Sequence, residues 1–353
     1  MTLNAQYATD NLEICAESAY IAYSNMLDGL AKNRLDAKKP RKEGLTCTID
    51  KFQGLDRENF ATIAPFVDVV KVYGALPMLV SDESLRKKIE YYHGFDIKVS
   101  TGSTITEFAV VESSLERFAR EAAKVGFDMV EIGESSIDLS IAQKKKITEA
   151  VKAAGLEYQW KVGKKDPRHQ LGIDDTLKKI DEAVKLDSKK VVIEANEGYN
   201  VGIYDEKGLV KWSFVGAMTN EYPPSTFIFE APLESQQSAL MAEFGQRVNL
   251  AEVHPEAIAS VESQRRGFLA KSAFGVSYIR KDPEGGPASK FIYYIIRTKH
   301  PVEQGELISL SHLPRRTVQA AVDDLKRQGL IIERSSLEDA RKKVYQPVQS
   351  EWL

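Results

Sequence analysis

Eight short β-rich runs, each followed by a polar loop and a stretch with helical spacing of its apolar residues, leave the middle of this chain little choice of fold. They are Leu45–Asp50, Val67–Tyr73, Phe95–Ser100, Phe127–Gly133, Leu156–Val162, Lys190–Ala195, Thr226–Glu230 and Val248–Val253. Their starts lie 22, 28, 32, 29, 34, 36 and 22 residues apart, the length of one strand, one helix and two loops. Strand then helix, eight times over, predicts an α/β chain closed into a (β/α)8 TIM barrel. Val191–Ile193 and Phe227–Phe229 are unbroken apolar runs, as strands covered on both faces require. The intervening helices read equally clearly. Leu115, Phe118, Ala119 and Ala122 share one face of a helix over Leu115–Val125, with Gly126 as its C-cap, and residues 141–155 repeat the design up to Gly155.

The flanks have other characters. Residues 1–43 form an N-terminal extension whose amphipathic stretch, 11–31, predicts a helix capping the barrel bottom, joined to it through Lys38–Lys42. The barrel is expected over 44–275. Residues 276–288 carry Asp-Pro-Glu-Gly-Gly-Pro and predict a linker. Beyond it, 289–353 reads as helices Phe291–Arg297, Glu303–Ser309 and Leu313–Gly329, then strands Leu330–Arg334 and Lys343–Val348. That is the winged helix-turn-helix order, and Leu313–Ile331 resembles the recognition helix and first wing strand of that superfamily. This segment holds 11 basic and 8 acidic side chains, a net +3 in a chain of net −3. The expected partner is duplex DNA, bound by a homodimer. Arg315, Arg316, Arg334, Arg341, Lys342 and Lys343 would form the basic face, Thr317 and Gln319 would reach base edges, and a wing would lie between Glu333 and Lys343. The competing reading makes the same surface a subunit contact.

Composition narrows the setting. The 353 residues are 43% apolar and 28% charged, globular proportions with room for more than one core. The two cysteines, Cys15 and Cys47, have neither metal-ligand nor disulfide-framework spacing, so a reducing cytoplasm is expected and neither thiol is assigned chemistry. No run approaches the length of a membrane span and no signal peptide is evident. His93, His254 and His300 are scattered singly, which favours surface or satisfied histidines over a metal site, and no dinucleotide fingerprint sits in a strand–loop–helix context.

A parallel barrel places its site at the C-terminal strand ends. Expected there are Asp50, Lys51, Lys71, Ser103, Thr104, Glu131, Lys161, Lys164, Glu194, Glu230 and Asn249. So many charges at one mouth require mutual neutralisation, a metal ion or an anionic ligand. The bland alternative is a set of structural salt bridges across the barrel top.

Several dispersed stretches now carry a resemblance. Gly44-Leu45-Thr46 with Ile49-Asp50-Lys51, Val162-Gly163-Lys164-Lys165-Asp166, Val192-Ile193-Glu194-Ala195 with Val201-Gly202-Ile203-Tyr204, and Phe229-Glu230-Ala231-Pro232 with Ser235-Gln236-Gln237 resemble the phosphosulfolactate synthases, from Gly44 to Arg266. The resemblance implies a lyase that adds sulfite to phosphoenolpyruvate with Mg2+, on the route to sulfolactate or coenzyme M. Carried over, it implies Lys164 as proton donor, with Lys71, Asp50 and Lys51 beside it in the catalytic centre. Glu194, Glu230 and Glu131 would hold the metal. Gly102, Ser103, Thr104, Lys161 and Arg265 would bind substrate. Departures from the family pattern fall at the mouth: Ser103 replaces a glycine, Lys161 a glutamate, and Asn196 and Leu269 arginines. Two functions remain open, an enzyme acting on a small phosphorylated or sulfonated acid, or a ligand-sensing barrel that regulates transcription through the winged helix.

Overall fold

The computed structural model describes residues 38–51, 57–267, 283, 285–299, 301–328, 330–335 and 342–347. The chain divides into two compact units between Leu269 and Ala270. The expected helix over 11–31, most of the expected linker, Leu269, His300, Arg341 and the tip of the expected wing lie outside the described residues.

In the first unit, strands β1 (Thr46–Asp50), β2 (Val69–Val72), β3 (Lys98–Thr101), β4 (Met129–Gly133), β5 (Glu157–Val162), β6 (Val191–Ile193), β7 (Phe227–Glu230) and β8 (Leu250–Val253) pair in sequence order and close into a barrel. Every pairing is parallel, with β8 returning to β1. Seven of the eight expected runs contain their strand whole, and the third, Phe95–Ser100, contains all of β3 but its last residue, Thr101. The helices that follow are α1 (Arg57–Ile63), α2 (Asp82–His93), α3 (Ser103–Val111) and α4 (Leu115–Val125), both after β3, α5 (Ile141–Ala153), α6 (Ile173–Lys185), α7 (Trp212–Glu221), α8 (Glu234–Phe244) and α9 (Ile258–Arg266). Local signals set their ends. Ser140 caps α5 in a reciprocal box with Gln143, and Gly126 closes α4 in the left-handed conformation at φ +115°.

Alternation along the strands sorts the barrel into two faces. Val70, Val72, Val99, Val130, Ile132, Trp160, Ile193, Phe227 and Phe229 face outward and pack with Leu85, Ile89, Leu115, Ile147, Val151, Ile180 and Leu240 of the helices. Each such buried side chain contributes about 1.5–3 kcal/mol. The inward positions make two tiers. The lower is an apolar plug of Cys47, Val69, Met129, Val192, Ile228 and Ala251, with Leu45 against it. The upper, two residues further along several of these strands, is charged.

The second unit contains α10 (Pro287–Lys299), β9 (Val302–Glu303), α11 (Gln304–Ser311), α12 (Arg315–Arg327), β10 (Ile331–Ser335) and β11 (Lys343–Pro347). The strands form a small antiparallel sheet in the order β10-β11-β9. The first helix starts at Pro287, four residues before the expected Phe291 and inside the stretch read as linker. Proline is well tolerated in a first helical turn, where its missing N–H has no partner to lose. The two-residue strand β9 was not expected, being too short for a periodic signal. A separate core of Ile292, Ile295, Ile296, Leu307, Val318, Val322, Leu325 and Tyr345 holds this unit together. Among the described residues no helix is long and apolar enough to cross a membrane.

Candidate functional site

The upper tier gathers Lys71 of β2, Glu131 of β4, Lys161 of β5, Glu194 directly after β6, Glu230 of β7 and Glu252 of β8, all but Glu252 almost fully buried. Lys71 Nζ lies 3.3 Å from Glu131 and 2.9 Å from Glu230, and it also contacts Glu252. Lys161 Nζ lies 3.0 Å from Glu131, 2.9 Å from Glu194 and 3.5 Å from Glu230. Backbone donors help to fix these carboxylates. Ala195 N–H donates to Glu230 at 2.9 Å, Asn196 N–H to Glu194 at 2.8 Å and Ser103 N–H to Glu131 at 3.3 Å. Ser135 Oγ donates to Glu194 at 3.2 Å, and Ser135 is itself held by its N–H on Glu107, 2.9 Å away.

Two glycines of the family-like stretches explain how Glu194 is seated. A Cβ on Gly163 would stand 2.5 Å from Glu194 Cβ, and one on Gly202 would stand 2.1 Å from the Glu194 carbonyl oxygen. Both have positive φ, so glycine answers a steric and a conformational demand at once.

Two ammonium groups against four carboxylates leave this tier with excess negative charge, and the carboxylates respond unequally. Burial pushes Glu194 up to about 7, with Glu230 adding to the effect, and burial raises Glu252 as well. Burial would also raise Glu131 and Glu230, but the ammonium groups of Lys161 and Lys71 outweigh it and hold both below the usual carboxylate range. Against burial, the same glutamates hold both lysines in their charged form.

Several expected residues stand elsewhere. Asp50 shares the outward face of β1, beside Val72 in register, and its carboxylate accepts from Tyr92 Oη at 2.6 Å and from Lys88 Nζ, both on α2. It anchors a helix to the barrel. Lys51 is exposed, with Nζ 5.5 Å from the Tyr73 ring centroid. Arg265 belongs to the opposite end. Barrel helices run back from the mouth, so the last turn of α9 reaches the floor, where the guanidinium donates to the Val248 and Leu45 carbonyls at 2.8 and 3.1 Å. Asn249 is also at the floor, accepting from Leu45 N–H at 3.1 Å and donating to the Phe227 carbonyl at 2.8 Å. Lys164 reaches Asp138 and the Ile137 carbonyl, both at 2.8 Å, rather than the buried tier. Ser103 and Thr104 open α3 behind Gly102, and Thr104 Oγ1 accepts from Lys165 Nζ at 3.0 Å.

Glu252, Lys165, Glu107 and Ser135 are the additions to the expected set. By strand alternation Glu252 should face outward, because Ala251 before it faces in. The pairing of β1 with β8 sets Thr46 opposite Leu250 and Thr48 opposite Val253, two residues against three. Glu252 is the residue at φ +55° in that bulge, which returns its carboxylate to the interior. No feature of Leu250-Ala251-Glu252-Val253 signals this in advance. Adjacent lysines at 164 and 165 were a visible signal for Lys165.

The family described as (2R)-phospho-3-sulfolactate synthase (ComA) matches residues 35–271. The chain belongs to this family. It is 32% identical over 236 residues to a phosphosulfolactate synthase of Methanothermobacter thermautotrophicus, covering 65% of this chain and 91% of that protein. With the Methanocaldococcus jannaschii phosphosulfolactate synthase it is 33% identical over 241 residues, 66% of this chain and 95% of the relative. The corresponding Bacillus subtilis protein is 25% identical over 245 residues, 67% and 94% of the two chains.

The residues present do not fit the Mg2+ ion expected from the family. Among the described residues no group of three or more His, Cys, Asp or Glu side chains is arranged to hold a metal ion. The oxygens of Glu131, Glu194 and Glu230 that face one another converge on lysine nitrogens.

Proposed function

We propose that the barrel catalyses a phosphosulfolactate synthase-type addition, joining sulfite to phosphoenolpyruvate or a closely related small phosphorylated acid. Sulfur attacks the methylene carbon, the double-bond electrons move toward the carboxylate as an enediolate-like species, and a proton from an acid completes the neighbouring carbon. The observation that carries this reading is the buried tier itself, in a chain of this family: two fixed cations beside carboxylates at the closed end of a mouth. Lys71 and Lys161 would hold the substrate carboxylate and the charge that develops on it. Glu194, pushed up to about 7, is protonated in a substantial fraction of molecules at neutral pH and is the acid we favour. Lys164 and Lys165 would draw the anionic substrate to the rim, with the first turn of α3 at Gly102, Ser103 and Thr104 beside its phosphate.

The test is formation of a sulfonated product from sulfite and phosphoenolpyruvate by the full chain, followed by E194Q and K164M. Loss of about 10²-fold or more in turnover with E194Q, and a smaller loss with K164M, supports the assignment. The opposite order makes Lys164 the acid. Absence of product from the parent chain, with a thermal shift on adding phosphoenolpyruvate, favours a ligand-sensing barrel.

A second reading concerns the smaller unit. Its helix–strand–helix–helix–strand–strand order supports a winged helix that binds duplex DNA, with Arg315 and Arg316 exposed at the start of α12. The other expected contacts are partly engaged. Lys343 pairs with Glu333 at 2.7 Å, Lys342 with Glu303 at 3.0 Å, and Gln319 hydrogen-bonds Gln304 and Asp323. Arg315 and Arg316, with Arg334 exposed on β10, would therefore bear most of the phosphate contact. Salt-dependent binding to duplex DNA that weakens in R315A/R316A is the expected result.

A further inference from the structure

We propose that Lys161 is the resident cation of this barrel, occupying with its ammonium group the place where Glu131, Glu194 and Glu230 would otherwise hold a divalent ion, so that the mouth binds none while Lys161 is present. Three carboxylate oxygens lie 2.9 to 3.5 Å from one nitrogen, an arrangement of hard donors around a single positive centre. Those oxygens suit Mg2+, Mn2+ or Ca2+ by chemical type. Their position does not depend on the lysine alone, because Ala195 and Asn196 N–H groups hold the second oxygens of Glu230 and Glu194, while Ser103 N–H and Ser135 Oγ donate to the same oxygens of Glu131 and Glu194 that Lys161 contacts. Removing the ammonium leaves a pre-oriented trio of buried carboxylates with only Lys71 to offset their charge, a condition that draws a cation in. The nitrogen-to-oxygen distances exceed metal–oxygen bonds by about 1 Å for Mg2+ and less for Ca2+, within reach of small side-chain adjustments. Lys71 stays in place beside Glu131 and Glu230 and keeps the pocket from collapsing on repulsion alone.

The experiment reads ion binding without turnover, so it succeeds or fails independently of the synthase assignment. Mn2+ is titrated into the full chain and free ion is followed by electron paramagnetic resonance, with thermal melts in Mg2+, Mn2+ and Ca2+ alongside. Wild type is expected to bind no Mn2+ at the mouth up to about 1 mM and to show no ion-dependent shift. K161A is expected to bind one Mn2+ at least about 10-fold more tightly, with a raised melting temperature, and to lose that binding when E194Q is added. K161Q, whose amide still donates to the carboxylates, serves as the second variant and is expected to gain the same site. One tightly bound Mn2+ in wild type that disappears in E194Q overturns the proposal. So do folded K161A and K161Q that bind no better than wild type, or failure of both to fold even with Mn2+ present, because a divalent ion must be able to replace the ammonium.

Discussion

Glu194 shows how a single residue is specified by parts of the sequence that look unrelated to it. Gly163 leaves room for its Cβ, Gly202 for its carbonyl, and Ser135, Asn196 and Lys161 take its two carboxylate oxygens. G202A should therefore be among the most damaging single-methyl changes in the barrel. The added carbon meets a backbone oxygen, and the φ of +56° disfavours any L side chain, so a loss of about 2 kcal/mol or more is expected in a denaturant titration. Glu194 also sets a pH dependence. Its proton is held more tightly in the folded chain, at about 7, than at the ordinary 4.5, so its contribution favours the fold below about 4.5 and is lost as pH rises toward 7. Glu131 and Glu230, shifted the other way, stabilise above the ordinary carboxylate range and lose that contribution on acidification. Melting temperatures of wild type and E194Q across pH 4 to about 8 should separate the two, with the decline between about 4.5 and 7 flattened in E194Q.

At the scale of elements, the barrel was legible because strand and helix periods differ and because eight repeats average out local errors, as the agreement at both ends of α4 shows. The buried tier was legible at Lys71, Glu131, Lys161, Glu194 and Glu230, where a charge falls on the inward face of a strand or just beyond it. Asp50 was misplaced because a strand-end position was read without its face. Ile49, beside Lys71 in register, takes the inward place on β1 and leaves Asp50 outside. Arg265 was misplaced because position relative to mouth or floor depends on where helix α9 begins and ends, and Asn249 because it stands at the start, not the end, of the run Val248–Val253. Glu252 was out of reach, since one bulge reverses the alternation that any reading of a strand assumes. That bulge is testable. E252G relieves the left-handed strain and should cost little, whereas E252V puts a β-branched side chain at φ +55° and should be less stable than E252G by about 1–3 kcal/mol in urea unfolding.

Among the described residues the barrel and the smaller unit have hydrophobic cores with no residue in common. A chain ending at residue 269 should keep the barrel's melting transition within about 4 °C, the shift worth about 1 kcal/mol for a domain of this size, when followed by differential scanning calorimetry. Loss of that transition would show that the barrel depends on residues beyond 269. Within the barrel, the apolar plug of Cys47, Val69, Met129, Val192, Ile228 and Ala251 closes the floor beneath the charged tier, so a ligand reaching that tier comes through the mouth at the C-terminal strand ends. Traffic through that doorway has an order. Whatever docks against Lys71 and Lys161 must arrive before anything that sits above it, and it must leave last. For two reactants of unequal size, the one held deepest is committed first, and its partner decides how long the door stays closed.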